Sequence, residues 1–411
     1  MLSKIRYDRV DKLLYQGSLE NGMNMVIAPM INSIDKVYFG LNLSVGGYAR
    51  EYTIDGSKIP VGTIEIFAEC LKKNHPAEAE PLFDNKCKFD IVIYESYTSF
   101  EVECQKEDFF VYYSALLSLL SEFKMKNDEV EAVKEKYVRT LSPMCSDDTV
   151  NIRSSLYVAA PMKHSIRGTK ESLKAVHLIT LKKFYEAFIR PEYLTVFVVG
   201  GVDVEKTYNI ANALKFKKVN EARNIDVKPY REDRKAIASY KEKGKEENHL
   251  TLGIKFPRRE GMFKKFSNDV FLYYLLLSDI LFTKSNSIFA SKVTSYVTID
   301  KIALYEGAEE AYLAVSFQTG DKEKLISEIE EYLSLDKLIT RRDFSKAKKS
   351  LLVKYANIYK QDPKTYYSLL LNAYANSYAH TALVQNAYKV RYGKFDKFLD
   401  EVKTFAHAYL D

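Results

Sequence analysis

Glu65 and Glu69 are the residues whose type and spacing come nearest to metal chemistry in this chain of 411 residues. They stand four apart in the stretch Pro60–Lys72, a spacing that on a helix puts both carboxylates on one face. Carboxylates so placed can hold a divalent metal, but metal-assisted hydrolysis also needs a base to take a proton from the bound water. Two carboxylates on an otherwise ordinary helix are far more often solvated charges than a metal site. No other clamp is preset. The six histidines (His75, His164, His177, His249, His380 and His407) never stand four apart, and Cys70, Cys87, Cys104 and Cys145 form no Cys-x-x-Cys pair.

The elements around this stretch are legible from periodicity. Leu19–Pro29 reads as a strand entered through a Glu-Asn-Gly turn. Lys36–Val45 follows, with Val37, Phe39, Leu41, Leu43 and Val45 alternating against polar or small residues, the pattern of a half-buried antiparallel strand. Lys88–Glu95 and Ser99–Cys104 read as paired strands, and Asp108–Phe123 and Glu129–Leu141 as helices. Thr180 is expected to cap a helix whose apolar face is Leu181, Phe184, Tyr185 and Phe188. Pro191 stops that helix, and Leu194–Val199 is an unbroken β-branched and aromatic run that predicts a buried strand closed by Gly200-Gly201. Val204–Phe216 finishes the first half as a helix.

Length allows two domains of roughly 200 residues. The polar stretch Lys217–Lys235, with Pro229, divides an N-terminal domain, 1–216, from a C-terminal domain, 236–411, through a linker at 217–235. The second half reads as a strand at Asn248–Phe256, a helix at Phe266–Phe282, a strand at Ala311–Gln318, then mainly helices interrupted at Asp362-Pro363. The net charge of +6 is mild and spread out, which argues against nucleic acid as a partner. The apolar stretch Val270–Leu277 is too short to span a bilayer. Its cysteine usage and a charged N-terminus without an apolar core point to a reduced, soluble, cytoplasmic protein.

The block Gly168–Asp203 also has a recognisable order: Gly-Thr-x-Glu-Ser-Leu, a helix with Phe-Tyr, a proline, then an apolar strand ending in Gly-x-Val-Asp. It resembles the pitrilysin/insulinase-type zinc peptidases, whose inverted zinc motif is His-x-x-Glu-His. The resemblance covers roughly residues 17–205 and thins beyond. Aligning Gly62-Thr63 with the Gly-Thr before that motif puts Glu65 at the first histidine, Ala68 at the catalytic glutamate and Glu69 at the second histidine. Counting along the run from Glu135 puts Ser142 at the third ligand, a glutamate in relatives. Three ligands and the base are therefore lost together, and no metal is expected on this chain.

The resemblance implies an α+β fold of two similar domains, each a mainly antiparallel sheet packed with helices. In relatives the sheet edge at Asp90, Ile91, Val92 and Ile93 takes the substrate peptide as an added strand, with Asn-Ala where this chain has Asp90-Ile91. A pair of Arg and Tyr seven apart, which holds substrate in relatives, would fall on Val293 and Asp300, or on Thr294 and Lys301, so it too is missing. Arg391-Tyr392 reads as a surface pair at a helix end. The function implied is that of a catalytically inactive subunit forming part of a peptide chamber. Its partner would be a homologous zinc-containing peptidase subunit, with the zinc on that partner. The alternative is a purely structural core subunit that binds no peptide.

Overall fold

A computed structural model describes residues 2–7, 12–30, 35–47, 50–94, 96–141, 148–157, 167–215, 223–229, 241–242, 248–256, 270–283, 296–306, 311–333, 339–375, 387–402 and 407–410. The strands are β1 (Ser3–Tyr7), β2 (Lys12–Ser18), β3 (Asn24–Pro29), β4 (Lys36–Leu43), β5 (Arg50–Ile54), β6 (Ser57–Lys58), β7 (Lys88–Ile93) and β8 (Thr98–Gln105). They continue as β9 (Leu194–Gly200), β10 (Ile225–Pro229), β11 (Lys241–Glu242), β12 (His249–Phe256), β13 (Val297–Glu306), β14 (Ala311–Thr319) and β15 (His407–Leu410). The helices are α1 (Thr63–Lys73), α2 (Phe109–Ser118), α3 (Asn127–Thr140), α4 (Asp148–Asn151), α5 (Arg153–Leu156), α6 (Lys170–Lys174) and α7 (Leu178–Phe188). After them come α8 (Val204–Asn212), α9 (Val270–Ser278), α10 (Lys322–Leu333), α11 (Arg341–Gln361), α12 (Pro363–Ala375) and α13 (Tyr392–Val402).

The chain forms two compact units, which interleave along the sequence. The first is 1–141, 165–229 and 356–381, and the second is 142–164, 230–355 and 382–411. Each sequential half thus lends a helical segment to the other unit. The stretch read as a linker contains β10, which pairs antiparallel with β5 of the first unit, Ile225 opposite Ile54.

In the first unit one sheet runs β1-β2-β3-β9-β4-β8-β7. Its central strand β9 is buried along its whole length, parallel to β3 and antiparallel to β4. In the second unit the sheet runs β11-β15-β12-β14-β13, with β15 parallel to β11 and antiparallel to β12. The series β3-β9-β4-β8-β7 and β11-β15-β12-β14-β13 therefore share one order and one pattern of directions. The two similar antiparallel-rich domains expected from the sequence are present as an α+β fold.

The repeat extends to single residues. Strand β4 reads KVYFGLNL and β12 reads HLTLGIKF, each with its glycine fifth. Against Gly40 lies α12, which packs on β4 and β9; against Gly253 lie Ile152 and Leu156 at and beside α5. In both units the lent helical segment fills the space where the sheet glycine has no side chain. Helix α12 begins where the sequence breaks, at Asp362-Pro363, with Asp362 Oδ1 accepting the Thr365 amide at 2.9 Å. Among the described residues no helix is long and apolar enough to cross a membrane.

Several local expectations differ from the structure: the strand expected over Leu19–Pro29 begins at Asn24, and the helix expected over Val204–Phe216 ends at Asn212. Helix α7 starts at Leu178 after His177, so Thr180 lies in its first turn and does not cap it. Capping occurs one helix earlier: Thr169 Oγ1 accepts the Ser172 amide at 3.1 Å while Ser172 Oγ accepts the Thr169 amide at 2.9 Å. The helix expected over Asp108–Phe123 is shorter, Phe109–Ser118.

Candidate functional site

Helix α1 is set by backbone approach at its start and by aromatic packing along its buried side. Gly62 has φ 91°, and a Cβ there would meet the Arg167 carbonyl oxygen at 2.7 Å. Gly168, with φ 84°, is equally tight, its Cβ position 2.6 Å from the Val61 carbonyl oxygen. Only glycine suits both the dihedral and the space, so the Gly62-Thr63 and Gly168-Thr169 pairs lock two loops together. Thr63 Oγ1 then donates to the Pro60 carbonyl at 2.7 Å. Further along, Phe67 is fully buried, with ring centroids 5.5 Å from Phe184 and 6.4 Å from Tyr185 of α7. The Phe-Tyr of the recognised block is thus what seats the helix bearing Glu65 and Glu69.

The opposite side of α1 opens on a cavity of about 530 Å³. Glu65, Ala68 and Glu69 line it together with Asp90, Ile91, Val92 and Ile93 of β7, Tyr137 of α3, and Arg167. All the expected α1 and β7 positions therefore meet in one place. Ser142 lies outside the described residues, as do Val293 and Thr294. Asp300 sits at the irregularity between Ile299 and Lys301 in β13, its carboxylate 3.8 Å from His249 Nδ1. Lys301 pairs with Ser316 of β14.

Each carboxylate of α1 is already engaged. Glu65 Oε2 accepts the Tyr137 hydroxyl at 2.9 Å. Burial raises the Glu65 pKa, only partly countered by the Tyr137 hydrogen bond and the Arg167 charge. Burial, and then the Glu65 charge, raise that of Tyr137 well above the phenol range, so it stays a hydrogen-bond donor. Glu69 pairs with Lys72 at 2.9 Å. Ala68 is buried and has no proton-accepting atom. This donor set does not fit a hydrolytic zinc: its two carboxylates are committed to a phenol and an ammonium, and nothing between them can activate water. Sequence reasoning missed Tyr137 and Arg167. Tyr137 follows Val130 and Val133 at helical spacing, which marks its face but not its partner.

A raised folded-state pKa means the folded chain holds the Glu65 proton more tightly than the unfolded chain does. That contribution is complete below the ordinary glutamate value, about pH 4, and is lost as pH rises through the raised folded value. Glu65→Gln keeps an acceptor for Tyr137 and removes the buried charge. It is expected to be more stable than the native chain at neutral pH and no more stable below about pH 4. Urea titrations at the two pH values measure this; a loss of stability at neutral pH would contradict it.

Strand β7 ends the seven-stranded sheet, and among the described residues no strand lies on its outer side. It presents an edge to the cavity, with Ile91 buried and Asp90 exposed. Asp90 Oδ1 accepts the Ile91 amide at 2.8 Å, so one main-chain donor of the strand is taken by its neighbour's side chain.

The fold has many solved counterparts. An M16-like peptidase from Alicyclobacillus acidocaldarius superposes with a TM-score of 0.82 at 16% identity, over 97% of this chain and 98% of that one. The chain has the M16 peptidase fold. A protease from Helicobacter pylori gives 0.72 at 15% identity, over 96% and 98%. A chain of complex III2 from Candida albicans gives 0.68 at 10% identity, over 96% and 94%. Residues 178–351 match the family model of the Peptidase M16 inactive domain. The pitrilysin/insulinase-type resemblance read from the sequence is thereby borne out. No curated protein matches the chain.

Proposed function

We propose that this chain is a catalytically inactive M16-fold subunit of a heterodimeric zinc peptidase, supplying one wall of the peptide chamber and the interface with a homologous zinc-bearing subunit. The observation that carries this reading is one cavity that joins an exposed sheet edge, Asp90–Ile93, to a helix whose Glu65, Ala68 and Glu69 cannot run the hydrolysis. Strand addition uses main-chain groups, so the edge remains usable where the catalytic residues are gone. An added strand must displace the Asp90 carboxylate from the Ile91 amide or pair around it. Peptide processing is the activity of the pair, with zinc held by the partner. A cytoplasmic location belongs to the same reading, supported by the free thiols of Cys70, Cys87 and Cys104.

A native mass spectrum of the chain, tagged and purified from its own cells, tests this. The expected species is a complex with a different subunit of similar size carrying one zinc in total, and the chain alone should cleave no peptide with or without added zinc. A zinc retained by this chain in isolation would overturn the reading of Glu65, Ala68 and Glu69. A second reading, a structural core subunit that binds no peptide, is favoured by the match to a chain of complex III2. A peptide-binding assay on the assembled complex separates the two, because only a chamber wall alters substrate affinity.

A further inference from the structure

The second unit carries a groove that the reading above does not use. One wall is α11, where Arg341, Ser345, Lys349 and Val353 recur every four residues as a single stripe. That stripe is about 18 Å long at the helical rise per residue. The other wall is Tyr388 and Arg391–Gly393, and the groove encloses about 790 Å³.

The walls are fixed to each other. Lys348 Nζ donates to the carbonyls of Tyr388 at 2.9 Å and Val390 at 2.7 Å, and burial lowers its pKa. The Phe344 and Tyr392 rings meet edge-on at 5.7 Å, and the Tyr392 hydroxyl donates to the Ile339 carbonyl at 3.0 Å. A groove braced in this way is formed before anything binds.

Its surface combines two features that are costly to leave uncovered together. Val353 is 55% exposed and Tyr388 43%, two of the six large apolar residues so exposed among the described residues. Around them stand the cations Arg341, Lys349 and Arg391, which have no ion-pair partner among the described residues. No carboxylate among the described residues lines the groove, although burial and then the nearby Asp396, Asp343 and Asp400 raise the Tyr392 pKa. Asp343, the nearest acid in sequence to Arg341, is spent as the acceptor for the Thr340 amide and hydroxyl.

We propose that this groove docks an acidic segment of another polypeptide, with a large apolar side chain seated between Val353 and Tyr388 and carboxylates facing Arg341, Lys349 and Arg391. Charge complementarity selects an acidic occupant over a neutral or basic one. A bare anion would leave Val353 and Tyr388 in water. An anionic membrane would need a protruding face, whereas this one is concave. The length of the stripe suits about three turns of an amphipathic helix laid along it.

The test uses the full chain and a fluorescein-labelled peptide of interspersed Glu and Leu, read by fluorescence anisotropy at about 0.15 M salt. Saturable binding at roughly micromolar concentration is expected. Arg391→Glu and Lys349→Glu should each weaken it about tenfold, and Val353→Ser should weaken it too. All three positions are exposed, and circular dichroism checks that each variant is folded; Arg391→Gln gives a milder control in the same direction. Affinity unchanged by these variants would overturn the proposal. So would equal binding of an all-Glu peptide, or capture of phosphatidylglycerol vesicles in place of the peptide.

Discussion

Gly40→Ala is expected to destabilise the first unit by about 2 kcal/mol or more, a large loss for the addition of one methyl group at a strand position. A Cβ at Gly40 would collide with the Tyr367 hydroxyl and lie 2.9 Å from the Phe100 carbonyl oxygen. Tyr367 cannot swing aside cheaply. It is buried against β4, and its hydroxyl lies 3.5 Å from Ser99 Oγ. Tyr367→Phe removes the colliding oxygen, so the double variant should recover about 1 kcal/mol of the loss, while the backbone contact remains. Urea unfolding followed separately for the four chains of this cycle gives the coupling directly. Absence of coupling would mean that α12 does not lie on β4 as described. The matching change, Gly253→Ala, meets Ile152 Cγ1 at 2.6 Å and Leu156 Cδ1 at 2.8 Å. Neither contact is with backbone, unlike that of Gly40 with the Phe100 carbonyl, so its cost should be the smaller of the two.

Phe67→Ala should be the most damaging substitution on the helix that carries the degenerate site, at about 3–5 kcal/mol. Phe67 is fully buried and joins α1 to Phe184 and Tyr185 of α7, while Tyr185 in turn donates its hydroxyl to the Leu120 carbonyl at 2.9 Å. Removing the ring leaves a cavity that the glycine-locked start of α1 cannot close by moving inward. Amide exchange in α1 should quicken before that in β9, because α1 would have lost its seat while the sheet keeps its ladder. A cost below about 1 kcal/mol would show that α1 is held by something other than this aromatic contact.

The sequence alone determined what depends on neighbours a few residues away. The alternation in Lys36–Val45 specified the buried face Val37, Phe39, Leu41 and Leu43, and the apolar run Leu194–Val199 specified a strand buried throughout. Set against the family's His-x-x-Glu-His, the positions Glu65, Ala68 and Glu69 were enough to read the motif as degenerate, while a helix fixes that Glu65 and Glu69 share a face. The order of motifs in Gly168–Asp203 was enough to name the fold. Even the helix break at Asp362-Pro363 was legible, since proline cannot continue the hydrogen-bonding of α11.

Tertiary structure decided whatever rests on residues far apart in the chain. Asn42 is buried although the alternation assigned it to the polar face, because α12, drawn from more than 300 residues away, packs on β4. The partner of Glu65 is Tyr137, 72 residues later, and no periodicity within α1 or α3 encodes that pairing. The same holds for the interleaved units, in which 142–164 and 356–381 each join the other half's sheet. The glycines fifth in β4 and β12 are the trace this exchange leaves in the sequence. They read as unremarkable strand residues until the helices that fill their empty side-chain positions are in place, because local patterning records which face is apolar but not which distant element covers it.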